Sequence, residues 1–174
     1  MMYEILIKLM ADGAVIPIVL IGAWALLFKI PADERYKAYC RILLAGLTAY
    51  LLAKLIGSVY QPALQRPFEL MGVSAGASSL NNPGFPSDHV LFCMAITLAV
   101  WFETRSKRIA LTLLGLTLLV AIGRILALVH TPLDVAGGFA IASIGTLWYM
   151  QRDRLSKPGS VKQWSKPKKA GKIT

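Results

Sequence analysis

Apolar residues in this chain gather into five stretches, at about 13–30, 38–60, 88–104, 108–129 and 132–150. Each is close to the roughly 20 helical residues needed to cross a hydrocarbon core about 30 Å thick. Ahead of them, Met2, Ile5, Leu6, Leu9 and Met10 recur at helical spacing, with Glu4, Lys8 and Asp12 between them. That spacing predicts an amphipathic helix suited to lying flat at a membrane surface. Behind them, residues 152–174 are rich in Lys, Ser, Gly and Pro, which predicts a disordered tail. The pattern therefore predicts an all-α fold: a polytopic membrane helix bundle of about five transmembrane helices with an N-terminal interfacial helix. Residues 1–150 form one membrane-embedded domain and 151–174 a basic tail. No internal repeat is visible.

Composition points the same way. Of 174 residues, 56% are hydrophobic and 16% charged, against about 45–50% and about 25% in soluble domains. The net charge of +10 would suggest nucleic acid in a soluble protein. Here the basic residues lie between and after apolar runs, and the tail offers one Trp and no folded platform, so no nucleic-acid partner is expected. Four basic residues fall in 29–41, three in 103–108 and eight from 152 onward, but only Arg66 in 57–88. The positive-inside rule then puts the first three segments, the C-terminus included, in the cytoplasm. Residues 57–88 and the turn at His130 lie outside, and five spans with an outer N-terminus satisfy every loop. Cys40 and Cys93 stand apart, without a pair motif, so neither a disulfide framework nor a cysteine metal site is expected. The N-terminus lacks the pattern of a cleaved leader, and the first apolar segment is expected to stay.

Ionisable residues inside membrane spans are costly and are functional candidates by default. Seven fall at one depth under this topology: Lys54, Arg66, Asp88, His89, Arg124, His130 and Asp134, all at the outer face. Lys54, Arg66 and Arg124 suit a phosphate, which arginine can grip bidentately. Gly84-Phe85-Pro86-Ser87-Asp88-His89 reads as a helix start, with Pro at the first turn. Backbone N–H groups there favour an anion, and Ser87 adds a hydroxyl. Two histidines provide a nucleophile and a general acid. Asp134 follows His130 by four residues, so on a helix its carboxylate can orient the imidazole. These are the ingredients of phosphoryl transfer through a phosphohistidine. No carboxylate cluster is present to hold magnesium, and no cofactor is expected.

Pro86-Ser87-Asp88-His89 and Arg124-x5-His130-x3-Asp134 resemble the second and third signature motifs of the type 2 phosphatidic acid phosphatase family, and Arg66-Pro67 resembles the end of the first. The resemblance covers roughly residues 40–150. It implies that His130 attacks phosphorus, Asp134 orients it and His89 protonates the leaving group. It further implies that Lys54, Arg66, Ser87 and Arg124 hold phosphate oxygens, without a metal. Phe-Pro-Ser-Asp-His and His-x-Pro-Leu-Asp are most similar to the bacterial undecaprenyl-diphosphate phosphatases. The implied substrate is undecaprenyl diphosphate, met at the outer face of a bacterial plasma membrane. Phosphatidylglycerol phosphate and phosphatidic acid are the alternatives. Three departures stand out. Eleven residues separate Lys54 from Arg66, more than the family's first motif has. Asp88 replaces a usual Gly, and Gly123 replaces a usual Ser.

Plainer roles exist for several of these residues. Thr131-Pro132-Leu133-Asp134 fits a helix start with a capping box, Asp standing for Glu or Gln. Pro86 and Ser87 can simply begin a helix, Asp88 can favour its dipole, and Lys54 can anchor at the interface. Ala136, Gly137, Gly138 and Ala140 form a small-residue face suited to close packing. The 76–86 loop is a lid or a connector, and the tail can bind anionic membrane lipids. A non-catalytic membrane protein is the alternative of a different class. The residues set no oligomeric state.

Overall fold

The computed structural model describes residues 2–80 and 84–150. The expected 151–174 tail lies outside the described residues. Every regular element among the described residues is helical: α1 (Met2–Lys8), a π-helical turn (Leu9–Gly13), α2 (Val15–Phe28), α3 (Arg35–Val59), α4 (Pro67–Leu70), α5 (Asp88–Glu103), α6 (Lys107–Leu126) and α7 (Pro132–Ile144). Four helical stretches are long and apolar enough to cross a membrane: Met2–Phe28, Arg35–Val59, Lys107–Leu126 and Pro132–Met150.

Two features differ from the sequence pattern. The N-terminal amphipathic segment is helical, as its spacing predicts, but it is not set apart. It continues through the π turn into α2 as one 27-residue stretch, and Ile7 and Ala11 are buried where that stretch packs on α6. The expected span at 88–104 is the 16-residue α5, about 24 Å at helical rise. α5 is the hub of the bundle and packs against α2, α3, α6 and α7. A helix ringed by other helices need not match the lipid thickness by itself.

Side-chain size is distributed inside out. On α3, Ala38, Ala45, Ala49 and Ala53 are buried, while Leu43, Leu47, Leu51 and Leu55 are exposed. Lipid is as apolar as leucine, so close backbone approach rather than water exclusion drives such packing. Gly145 follows the same logic, since a Cβ there would sit 2.8 Å from the Ala45 carbonyl of α3. Polar contacts add specificity: Thr97 and Thr117 hydroxyls meet at 3.1 Å between α5 and α6. Both cysteines are free thiols.

Candidate active site

The site lies at the end of the bundle where α5 begins, α6 ends and α7 begins. After α6, Leu128 takes a left-handed φ of 58°, an uncommon conformation for a branched side chain. The tight turn sends Val129 and His130 back over the bundle. Arg66 fastens it: the Arg66 Nη1 donates to the Val129 carbonyl at 2.6 Å, and the Phe68 N–H donates to the Leu128 carbonyl at 3.0 Å. The α4 segment thus carries Arg66 and clamps the strap that carries His130.

α7 then starts on the expected capping box. The Asp134 N–H donates to the Thr131 hydroxyl at 3.2 Å, and the Thr131 N–H donates to Asp134 Oδ2 at 2.7 Å. The same Oδ2 stands 3.7 Å from His130 Nδ1, an ion-pair distance rather than a hydrogen bond. Asp134 therefore both caps the helix and faces the imidazole. On the other edge of the ring, Arg124 Nη2 lies 3.4 Å from His130 Nε2. A guanidinium N–H can donate only to an unprotonated ring nitrogen, so this contact selects the tautomer with its proton on Nδ1. Burial lowers the His130 pKa below its usual value, and the Arg124 and Arg66 charges add to that effect while Asp134 opposes it. Together these leave Nε2 with a free lone pair near neutral pH.

The Phe85-Pro86-Ser87 segment is seated on α7. A Cβ on Gly137 would meet the Phe85 ring at 2.4 Å, and one on Gly138 would meet the Ser87 carbonyl at 2.9 Å. The small-residue face of α7 is thus a seat for the motif loop and for the start of α5. Gln61 pins the same loop from the other side, its Nε2 donating to the Phe85 carbonyl at 3.1 Å. Ser87 donates its N–H to the Asp134 carbonyl at 3.0 Å, which ties the two motifs together.

A cavity of about 460 Å³ opens here, lined by Lys54, Arg66, Ser78, Asp88, His89, Arg124 and His130 among others. Of the seven residues to which the family resemblance gives a role, Lys54, Arg66, His89, Arg124 and His130 line it. Asp134 stands behind His130, and Ser87 is wholly buried one layer behind the lining. Lys54 reaches the rim, where its Nζ donates to both Asp88 carboxylate oxygens at 3.0 and 3.1 Å. Among the described residues, three buried side-chain polar atoms have no hydrogen-bond partner: Ser87 Oγ, Arg124 Nε and His130 Nδ1. All three belong to this site. Such concentration is what a polar ligand site looks like, since buried polar groups elsewhere are nearly always paired. No group of three or more His, Cys, Asp or Glu side chains that could hold a metal ion comes together among the described residues.

Sequence reading assigned no chemical role to Asp12 or Ser78. Asp12, on the π turn, accepts from Arg124 Nη1 at 2.8 Å and from the Ser78 N–H and hydroxyl at 2.9 Å each. It lies 3.9 Å from His89 Nε2. A contact spanning 112 positions leaves no local spacing to detect. The one available signal was an acidic side chain at the start of the first long apolar stretch.

The profile of the PAP2 superfamily matches residues 38–156. The chain is also 31% identical, over 140 residues, to the undecaprenyl-diphosphatase BcrC of Bacillus subtilis (strain 168), which covers 79% of this chain and 68% of that protein. No solved structure matches.

Proposed function

This chain belongs to the PAP2 superfamily, and from that premise we propose that it is a metal-independent phosphatase of phosphorylated lipids that works through a phosphohistidine on His130. The observation that carries the reading is the setting of that ring. Its Nδ1 faces the Asp134 carboxylate, and its Nε2 faces the Arg124 guanidinium on a cavity lined by a second histidine.

The chemistry follows from those positions. The His130 Nε2 lone pair attacks phosphorus, and the bond to the leaving oxygen breaks as His89 supplies its proton. Asp134 stabilises the positive charge that develops on the ring. Water then attacks the phosphohistidine and gives its proton to His89. The P–N bond breaks and His130 returns neutral. Arg124 and Arg66 stabilise the charge on the transferring phosphoryl oxygens, the main catalytic term in such reactions. The N-terminus of α5, begun by Ser87, adds positive potential at the floor, and Lys54 at the rim can reach a phosphate only by leaving Asp88. The position of the cavity at one end of the bundle suits an amphiphile whose tail stays in the bilayer. By the charge distribution of the loops, that end faces outward.

Undecaprenyl diphosphate is the substrate the reading favours, with undecaprenyl phosphate and inorganic phosphate as products. The likeness to BcrC supports this choice. Phosphate release in detergent with EDTA tests it, comparing undecaprenyl diphosphate, phosphatidylglycerol phosphate and phosphatidic acid. Release should persist in the chelator and be fastest with the diphosphate. Faster release from either phospholipid would move the assignment to a phospholipid phosphatase. Equal release from wild type and His130→Ala would overturn the histidine mechanism.

A further inference from the structure

The carboxylate partner of the cavity's Arg124 comes from outside the part of the chain that matches the superfamily. Residues 38–156 carry that match, yet Asp12 is the carboxylate on Arg124, at 2.8 Å. Arg124 is 1% exposed, and a buried guanidinium without a counter-charge is strongly unfavourable.

The backbone is shaped to deliver this carboxylate. α6 lacks a side chain at Gly123, where a Cβ would lie 2.6 Å from the Ala11 N and 2.8 Å from the Met10 carbonyl carbon. Both clashes are with backbone, so no rotamer change relieves them. Gly123 is the socket into which the π turn fits, and a π turn re-aims side chains relative to a regular helix. Asp12 leaves that turn toward Arg124. Its two oxygens also hold the Ser78 N–H and hydroxyl, so one carboxylate fixes Arg124 and the 76–80 segment together. The Gly that replaces the family's usual Ser before the arginine is thereby explained: it gives way to a neighbouring helix.

We propose that Asp12 is a positioning residue of the catalytic site, which aims the Arg124 guanidinium at His130 and at the incoming phosphoryl group. The inference rests on the phosphatase reading above. Asp12 acts through Arg124 and is not itself a phosphate ligand, because two anions repel. That repulsion gives it a kinetic signature. Loss of the carboxylate frees Arg124 to rotate, and misplacement of a catalytic group by about 1 Å can cost about 100-fold. The same loss removes a negative charge from an anion site, so substrate binding does not weaken. Structural loosening would instead raise KM.

The test is the steady-state kinetics of Asp12→Asn and Asp12→Ala on the best lipid substrate in detergent, beside wild type, with thermal unfolding of each. The expected result is a kcat per folded molecule lowered about 10- to 100-fold, more in Ala than in Asn, with KM unchanged or lower. The unfolding temperature falls as well, because the buried Arg124 loses its counter-charge. Gly123→Ala, which displaces the π turn without touching the carboxylate, should lower kcat in the same way. Two results would overturn the proposal while leaving the phosphatase reading standing. One is an Asp12→Asn enzyme with wild-type or raised kcat, which would make Asp12 bystander or competitor. The other is a raised KM with kcat retained. A wild-type enzyme that releases no phosphate from any lipid would remove both.

Discussion

Two arginine–carboxylate pairs, each with one partner buried and the other half-buried, sit at opposite ends of this bundle, and they are built differently. At one end Arg41 grips Glu103 bidentately, with both N–O distances 2.7 Å. Glu103 is 1% exposed, and the stacked rings of Phe102 and Tyr149, 5.2 Å apart, stand beside it. Neither partner leaves an orphaned polar atom. At the other end Arg124 meets Asp12 through a single nitrogen and faces a histidine with another, while its Nε has no partner. The first pair spends both guanidinium contacts on one carboxylate and holds α3 to α5. The second leaves hydrogen-bonding capacity aimed at a cavity. A buried charge in a membrane bundle is a functional candidate by default, and satisfaction of its donors is what separates a fastener from a site.

Mutations should pull the two ends apart. The largest effect belongs to His130→Ala, which should lower kcat at least about 10⁴-fold, as loss of a nucleophile does elsewhere, with unfolding in detergent unchanged. Asp134→Asn should cost about 10²–10⁴-fold, because the amide leaves the ring without its counter-charge and its preferred tautomer. Arg124→Lys keeps the charge but loses the planar fork, and should cost about 10²–10³-fold, the range seen when one transition-state donor is removed. Glu103→Gln reverses the pattern. It removes the counter-charge of a half-buried arginine and weakens two charge-assisted hydrogen bonds, a loss of about 1–3 kcal/mol. Thermal stability should fall clearly while kcat per folded molecule holds. If Glu103→Gln abolished turnover without destabilising the bundle, the contrast between fastener and site would fail.

The pH profile is the smallest and sharpest of these tests. Burial, Arg124 and Arg66 hold the His130 pKa below its usual 6.5. The neutral ring is the nucleophile, so activity on the limb set by His130 is lost as pH falls through the lowered pKa, while the need for a protonated His89 sets a separate alkaline limb. The acid limb of kcat/KM should therefore have its midpoint below pH 6.5. A limb centred above 7 would mean that the Asp134 carboxylate outweighs burial and both arginines.

Much of this site was legible because its residues are local in sequence. Ser87 to His89 sit on one helix start, and Arg124 to Asp134 run from the end of α6 through a tight turn to the start of α7, so a short local connection brings them to one depth. The capping box at Thr131–Asp134 was readable for the same reason. What was not legible depends on packing between distant segments. The docking of the N-terminal stretch on Gly123 follows from a missing side chain, and no periodicity announces it. The role of Gly137 and Gly138 as the seat of Phe85 and Ser87 was visible only as a small-residue face. Lys54 was readable as a cation at the right depth, but its commitment to Asp88 depends on how α3 leans on α5. The extent of α5 was legible to within a residue, 88–104 against Asp88–Glu103, but not its place at the hub of the bundle.

The central claim is that His130 becomes covalently phosphorylated. The direct measurement is to quench the enzyme during turnover of undecaprenyl diphosphate labelled at its terminal phosphate, and to locate the label by peptide mass spectrometry. The account predicts acid-labile, alkali-stable phosphate on the peptide carrying His130, accumulating further in His89→Ala given a substrate with an activated leaving group. Label on any other residue, or burst kinetics with no labelled peptide in an enzyme that turns over, would contradict it.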